Sequence, residues 1–210
     1  MSLSQPGANE VAGEFAWSAP HAATETATAA TARSRFTRGT LVDRARARSA
    51  RILTAVGEAA ELASQYDATM ASVIALAESC SDEDWSVMCP SEQRTVGVLF
   101  DHIARGNPQV VDWVGEFLAG RPVAITRDSL DAINAAHARE AAARPRQRTI
   151  EHLKSGSLKT SEMIRNLSDE ELHRTQEFGW AGEREVAWVT GAALRHPRGH
   201  LDSIKAALNR

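Results

Sequence analysis

From Tyr66 to Cys80 the apolar residues Met70, Val73, Ile74 and Leu76 recur at steps of three and four, and this spacing predicts a helix that Ser81-Asp82-Glu83-Asp84 stops. A weaker helical pattern reaches back to about Ile52. Trp85 then opens a link predicted to be non-helical, because Pro90 cannot continue a helix and Ser91 or Thr95 can cap a new one. The second helix is predicted over Thr95 to Leu118, with Leu99, His102, Ile103, Gly106, Val110, Trp113, Val114 and Phe117 on one stripe and a bend or new turn at Pro108. Thr126-Arg127-Asp128-Ser129 reads as the start of a third helix through Leu130, Ile133, His137 and Ala141, which Pro145 interrupts. A further helix is predicted from about Thr149 to Leu167, followed by Ser168-Asp169-Glu170-Glu171 and a polar link carrying Gly179-Trp180-Ala181-Gly182. The last helix, about Val186 to Leu208, places Val186, Val189, Ala193, His196, Pro197, His200, Leu201, Ile204 and Ala207 on its inward stripe.

The fold class this pattern predicts is all-α, a helical bundle. Its chemistry lies in the histidines. His196 and His200 are four residues apart, so on a helix they lean the same way about one turn from each other. Two imidazoles rarely hold a divalent ion against water, and a third ligand is needed. His102 supplies the candidate: it lies inside an apolar stripe, where a polar ring needs a partner. Three inward histidines on two long amphipathic helices are what a bundle needs to build a metal site between facing helices. Pro197 sits between the paired histidines, and a visible bend or a restart of the last helix is expected there.

Residues 1 to about 40 lack a periodic apolar pattern, as in T-E-T-A-T-A-A-T-A, and are expected to be a disordered tail. Seven arginines between Arg33 and Arg51, against the single acid Asp43, form a basic arm; a solvated arm is the plainer reading and a tether to an acidic partner the other. The domain organisation expected is therefore an N-terminal extension over 1–50 and a bundle over 51–210. A net charge of -3 gives no overall basic field, so nucleic acid is not the expected partner. No apolar run approaches the roughly 18 residues that cross a bilayer, and the N-terminus lacks the apolar core of a secretion signal, so a cytoplasmic protein is expected. In a reducing compartment Cys80 and Cys89 are expected to be free thiols.

The chain resembles the DinB-like superfamily of four-helix-bundle metalloproteins, including the branch related to mycothiol-dependent maleylpyruvate isomerases. The resemblance runs from about Tyr66 to Leu208. It is carried by D-W-S-V-M-C-P-S-E-Q-R-T-V-G-V-L-F-D-H-I at Asp84 to Ile103, D-A-I-N-A-A-H-A at Asp131 to Ala138, L-S-D-E-E-L at Leu167 to Leu172 and H-P-R-G-H-L-D-S-I at His196 to Ile204. It implies a DinB-like four-helix bundle in which His102, His196 and His200 match the metal triad. It also implies a divalent ion, zinc or nickel foremost, and mycothiol or another low-molecular-weight thiol as co-substrate. The chain departs from the isomerase branch at Gln93-Arg94, where that branch usually has Gly-Trp.

Three neutral imidazoles leave coordination positions open, the arrangement of a catalytic rather than a purely structural site. The function expected is a metal-dependent thiol S-transferase or isomerase-like enzyme acting on a small molecule. The alternative is a non-catalytic metal-binding or stress-related bundle, and a homodimer stays open. Asn134 and His137, three apart on the third helix, are candidate catalytic residues that could orient a substrate or act as acid or base, with a polar helix edge as the plain alternative. Asp101 and Asp202 each neighbour a candidate ligand in sequence, point about 100° away on a helix, and are read as surface residues. Cys89 is read as buried and inert, and Trp85, Trp113 and Trp188 as packing.

Overall fold

A computed structural model of the chain describes residues 57–210. The expectations for the N-terminal extension and for the basic arm lie outside the described residues. Four long helices make the frame: α1 (Glu58–Ser79), α3 (Val96–Leu118), α5 (Arg146–Arg165) and α7 (Val186–Leu208). Around the bundle α1 packs on α5, α5 on α3, α3 on α7 and α7 back on α1. The short α2 (Asp82–Ser86) and the fourth helix, α4 (Arg127–Ala141), lie against α3. The last short helix, α6 (Asp169–Leu172), precedes an antiparallel hairpin, β3 (Thr175–Phe178) and β4 (Gly182–Glu185). A smaller antiparallel hairpin, β1 (Met88–Cys89) and β2 (Arg94–Thr95), leads into α3. The fold is the all-α four-helix bundle the sequence implies.

The stripes read from the sequence become the core. Tyr66, Met70 and Val73 from α1, Leu99, Phe100, Ile103, Val114 and Phe117 from α3, Leu153 and Ile164 from α5, and Val186, Val189 and Ile204 from α7 are all fully buried. Burying one such large aliphatic or aromatic side chain contributes about 1.5–3 kcal/mol, so these faces outweigh the local irregularities in the same helices. Two irregularities are the prolines. Both α3 and α7 run on without interruption through Pro108 and Pro197, so the last helix does not restart as one expectation had it. Each proline removes one donor, and the flanking turns are held by packing on neighbouring helices. Next to Pro108, Asn107 joins three helices: Tyr66 donates to its Oδ1 at 2.6 Å, and Thr160 donates to its carbonyl at 3.2 Å. Gly156 leaves room for it, since a Cβ there would stand 3.1 Å from the Asn107 Cβ.

The boundaries differ from expectation where capping chemistry was read as a stop. Ser81 and Asp84 form a reciprocal capping box that opens α2, so Trp85 is helical rather than part of a link. The link that follows is the β1–β2 hairpin. Helix α5 begins at Arg146, directly after Pro145, and Thr149 is already one turn inside. Thr126 and Ser129 cap α4 as the sequence signal promised. Gly179–Ala181 is a single helical turn at the tip of β3–β4, and there only glycine fits: a Cβ on Gly179 would fall 1.7 Å from the Ile125 carbonyl oxygen.

Candidate metal centre

Helix α3 carries His102 and α7 carries His196 and His200, and the packing of α3 on α7 brings all three rings together. His196 Nε2 lies 3.0 Å from His102 Nε2 and 3.2 Å from His200 Nε2. The ligand nitrogens of the three all fall within 4.8 Å of one another, a group able to hold a metal ion. Hydrogen bonding among the rings does not account for this convergence. A ring nitrogen carries either one hydrogen or one in-plane lone pair, so His196 Nε2 can serve one of its two neighbours and not both. An ion at the common point would satisfy all three at once. The donor set, three imidazoles, suits such an ion.

The electrostatics agree. Burial, with the neighbouring His200 second, pushes His196 down to about 3. Burial, then the charges of His196, His200 and Arg94, holds His102 well below the ordinary histidine range. The two rings are thus kept neutral, which is the ligating form.

Glu92, in the β1–β2 turn, was not singled out by the sequence. Its side chain is only 6% exposed, and its Oε1 lies 3.1 Å from His200 Nδ1 and accepts from the Ser203 hydroxyl at 2.9 Å. A carboxylate on Nδ1 leaves the Nε2 lone pair of His200 directed at the other two rings. Burial alone would raise the Glu92 carboxyl, and the bonds from His200 and Ser203 bring it below the usual carboxylate range. The turn itself is tight: Glu92 and Gln93 both donate their backbone N–H to the Cys89 carbonyl, and Gln93 takes a left-handed φ of 51°. On α3, Gly106 supplies space, since a Cβ there would stand 3.3 Å from His196 Nδ1. His102 Nδ1 is buried with no hydrogen-bond partner among the described residues.

Of the two candidate catalytic residues, His137 is buried on α4 with its ring centre 6.3 Å from that of His102. Asn134 is half-buried one turn earlier. The reading of Asp101 as a surface residue is overturned: it is 0% exposed. Arg144 Nη1 donates to its Oδ2 at 2.7 Å and its Oδ1 at 2.9 Å, and the Thr149 hydroxyl donates to Oδ1 at 2.9 Å. His137 Nε2 stands 3.1 Å from Oδ2, at ion-pair distance but poorly aligned as a hydrogen bond. Burial works against ionisation of Asp101, and the contacts from His137, Thr149 and Arg144 still hold its carboxyl below the usual range. Asp202 is exposed, as read. Cys80 and Cys89 are free and buried, and burial pushes both thiols up. Trp85 and Trp113 pack on Phe100 and Phe178, while Trp188 packs on Phe178.

A DinB superfamily model matches residues 65–204, from α1 through both paired histidines on α7. The chain belongs to the DinB superfamily. Among solved structures, an uncharacterized protein from Clostridium difficile 630 superposes with a TM-score of 0.60 at 18% identity, covering 74% of this chain and 98% of that one. At that identity the likeness speaks for the fold. No functionally curated protein matches the chain. No helix among the described residues is long and apolar enough to cross a membrane.

Proposed function

We propose that this DinB-superfamily protein is a cytoplasmic metal-dependent thiol S-transferase or isomerase-like enzyme, with a low-molecular-weight thiol such as mycothiol as co-substrate. The observation that supports it is the convergence of three Nε2 atoms with no fourth protein ligand among the described residues. A divalent ion held there, zinc or nickel foremost, would lower the pKa of a coordinating thiol and so supply a nucleophile at neutral pH. His102, His196 and His200 would hold it, and Glu92 keeps His200 in the tautomer that can. In this reading His137, whose ring centre lies 6.3 Å from that of His102 and whose Nε2 is 3.1 Å from Asp101, would take or return a proton, and Asn134 would orient the electrophilic substrate.

The second reading, a bundle that sequesters an ion without turnover, shares the same three ligands. Metal analysis of untagged protein, followed by thiol-consumption assays with mycothiol or bacillithiol and model electrophiles, separates them. Metal near one per chain with turnover above that of the free ion supports the enzyme. Metal without turnover leaves the sequestering bundle. Metal below about 0.2 per chain, unchanged in His102→Ala, removes both.

A further inference from the structure

The β1–β2 hairpin carries a second charged group near the three histidines. Arg94 on β2 is paired across the ladder with Cys89 on β1. Directly opposed residues in an antiparallel pair project to the same face. Cys89 is fully buried and β1 packs against α7, the helix of His196 and His200, so Arg94 leaves the hairpin on its bundle side. The hairpin is anchored there, because Glu92, two residues earlier, is bonded to both His200 and Ser203.

Arg94 is half-buried, yet its guanidinium makes no hydrogen bond or ion pair with any described residue. Arg144 and Arg146, equally half-buried, are both engaged: one on Asp101, the other on the carbonyls of Ala77 and Glu78. Arg105 on α3 is also half-buried and without such a partner, but it lies outside the hairpin that Glu92 ties to His200 and Ser203. Glu92 does not neutralise Arg94 by contact, since its Oε1 is bonded to α7 and no ion pair forms between the two. A planar fork of donors with nothing to bind, held at the edge of a cationic metal centre, suits a carboxylate, which it can grip through two parallel hydrogen bonds.

We propose that Arg94 is the anion-binding group of the ligand site beside the three-histidine centre, taking a carboxylate carried by the small molecule that binds there. This rests on the metal-site reading given above, and it narrows the ligand class to carboxylate-bearing molecules.

The test uses the full chain loaded with cobalt(II) and titrated with 3-mercaptopropionate and with its neutral counterpart 3-mercaptopropan-1-ol, following the visible cobalt absorption. The expected result is that the carboxylate thiol binds about tenfold more tightly than the neutral one. Arg94→Gln brings the two within about twofold, Arg94→Lys falls between, and Arg105→Gln, with the same change in net charge, keeps the full preference. Equal binding of the two thiols by the unaltered chain, a preference that survives in Arg94→Gln, or an equal loss in Arg105→Gln overturns the assignment. Failure of the underlying reading looks different. If the chain takes up no cobalt, or neither thiol alters its spectrum, the thiol-binding centre itself falls and Arg94 with it. A shift with the neutral thiol sustains the centre whatever Arg94 does.

Discussion

Glu92 Oε1 stands 3.1 Å from His200 Nδ1, a contact between a hairpin turn and a helix 108 residues further along the chain. It makes the hairpin part of the candidate metal centre, because the tautomer of His200 is chosen from outside the three-histidine cluster. Replacing such a partner typically costs 10–100-fold in metal affinity. Glu92→Gln is expected to weaken zinc by about tenfold and Glu92→Ala by more, read by competition with a chromophoric chelator. Affinities within twofold of the parent for both variants would remove Glu92 from the centre.

Gly106 and His196 give a prediction in which stability and affinity move in opposite directions. Gly106 lies inside α3, where alanine is favoured by about 1 kcal/mol, but its Cβ would meet His196 at 3.3 Å. Gly106→Ala is therefore expected to raise the thermal midpoint of the chelator-treated protein and to weaken metal binding, as the ring is pushed off the common point. Unchanged affinity in calorimetric titration would show that the ring gives way without loss.

The three rings also set a pH response of the metal-free protein. His196 and His102 have folded-state values below that of an unfolded histidine, near 6.5, so the unfolded chain binds more protons in between. Stability of the chelated protein is expected to fall as pH drops from about 6.5 towards 3, and His196→Ala to flatten that slope. Denaturant midpoints across this range, with and without zinc, provide the check; a slope identical in parent and variant would contradict it.

Asp101 predicts a separate, more acidic loss. Its carboxyl is held below the usual range, so its contribution is present above the unfolded value near 3.9 and is lost as pH falls through its folded value. At neutral pH Asp101→Asn leaves the Arg144 guanidinium facing a neutral group. Because Arg144 is itself partly exposed, a cost of about 2–4 kcal/mol is expected, towards the low side of a fully buried pair. Urea unfolding at pH 7 measures it, and a cost under about 0.5 kcal/mol would mean that water replaces the lost partner.

By itself the sequence determined the helical class, the long helices and the three histidines, because each depends on a local regularity. A buried face repeats every three to four residues, and a histidine inside such a stripe stands out wherever it lies. What the helices pack against is not a local property, and this is where Asp101 was misread. On an isolated helix it points away from His102 and hence to solvent, but α3 is covered by α4 and α5 as well as by α7, so that second face is buried too. Thr149 and Arg144, which meet it there, are more than 40 residues distant. Glu92 and Arg94 were invisible for the same reason: their side chains gain meaning only when the hairpin folds onto α7. Pro197, a break in the local grammar, is carried through by packing on both sides. Local periodicity thus chose the three candidate ligands, and tertiary packing alone decided which groups meet them, as Glu92 meets His200, and which are buried beside them, as Asp101 is.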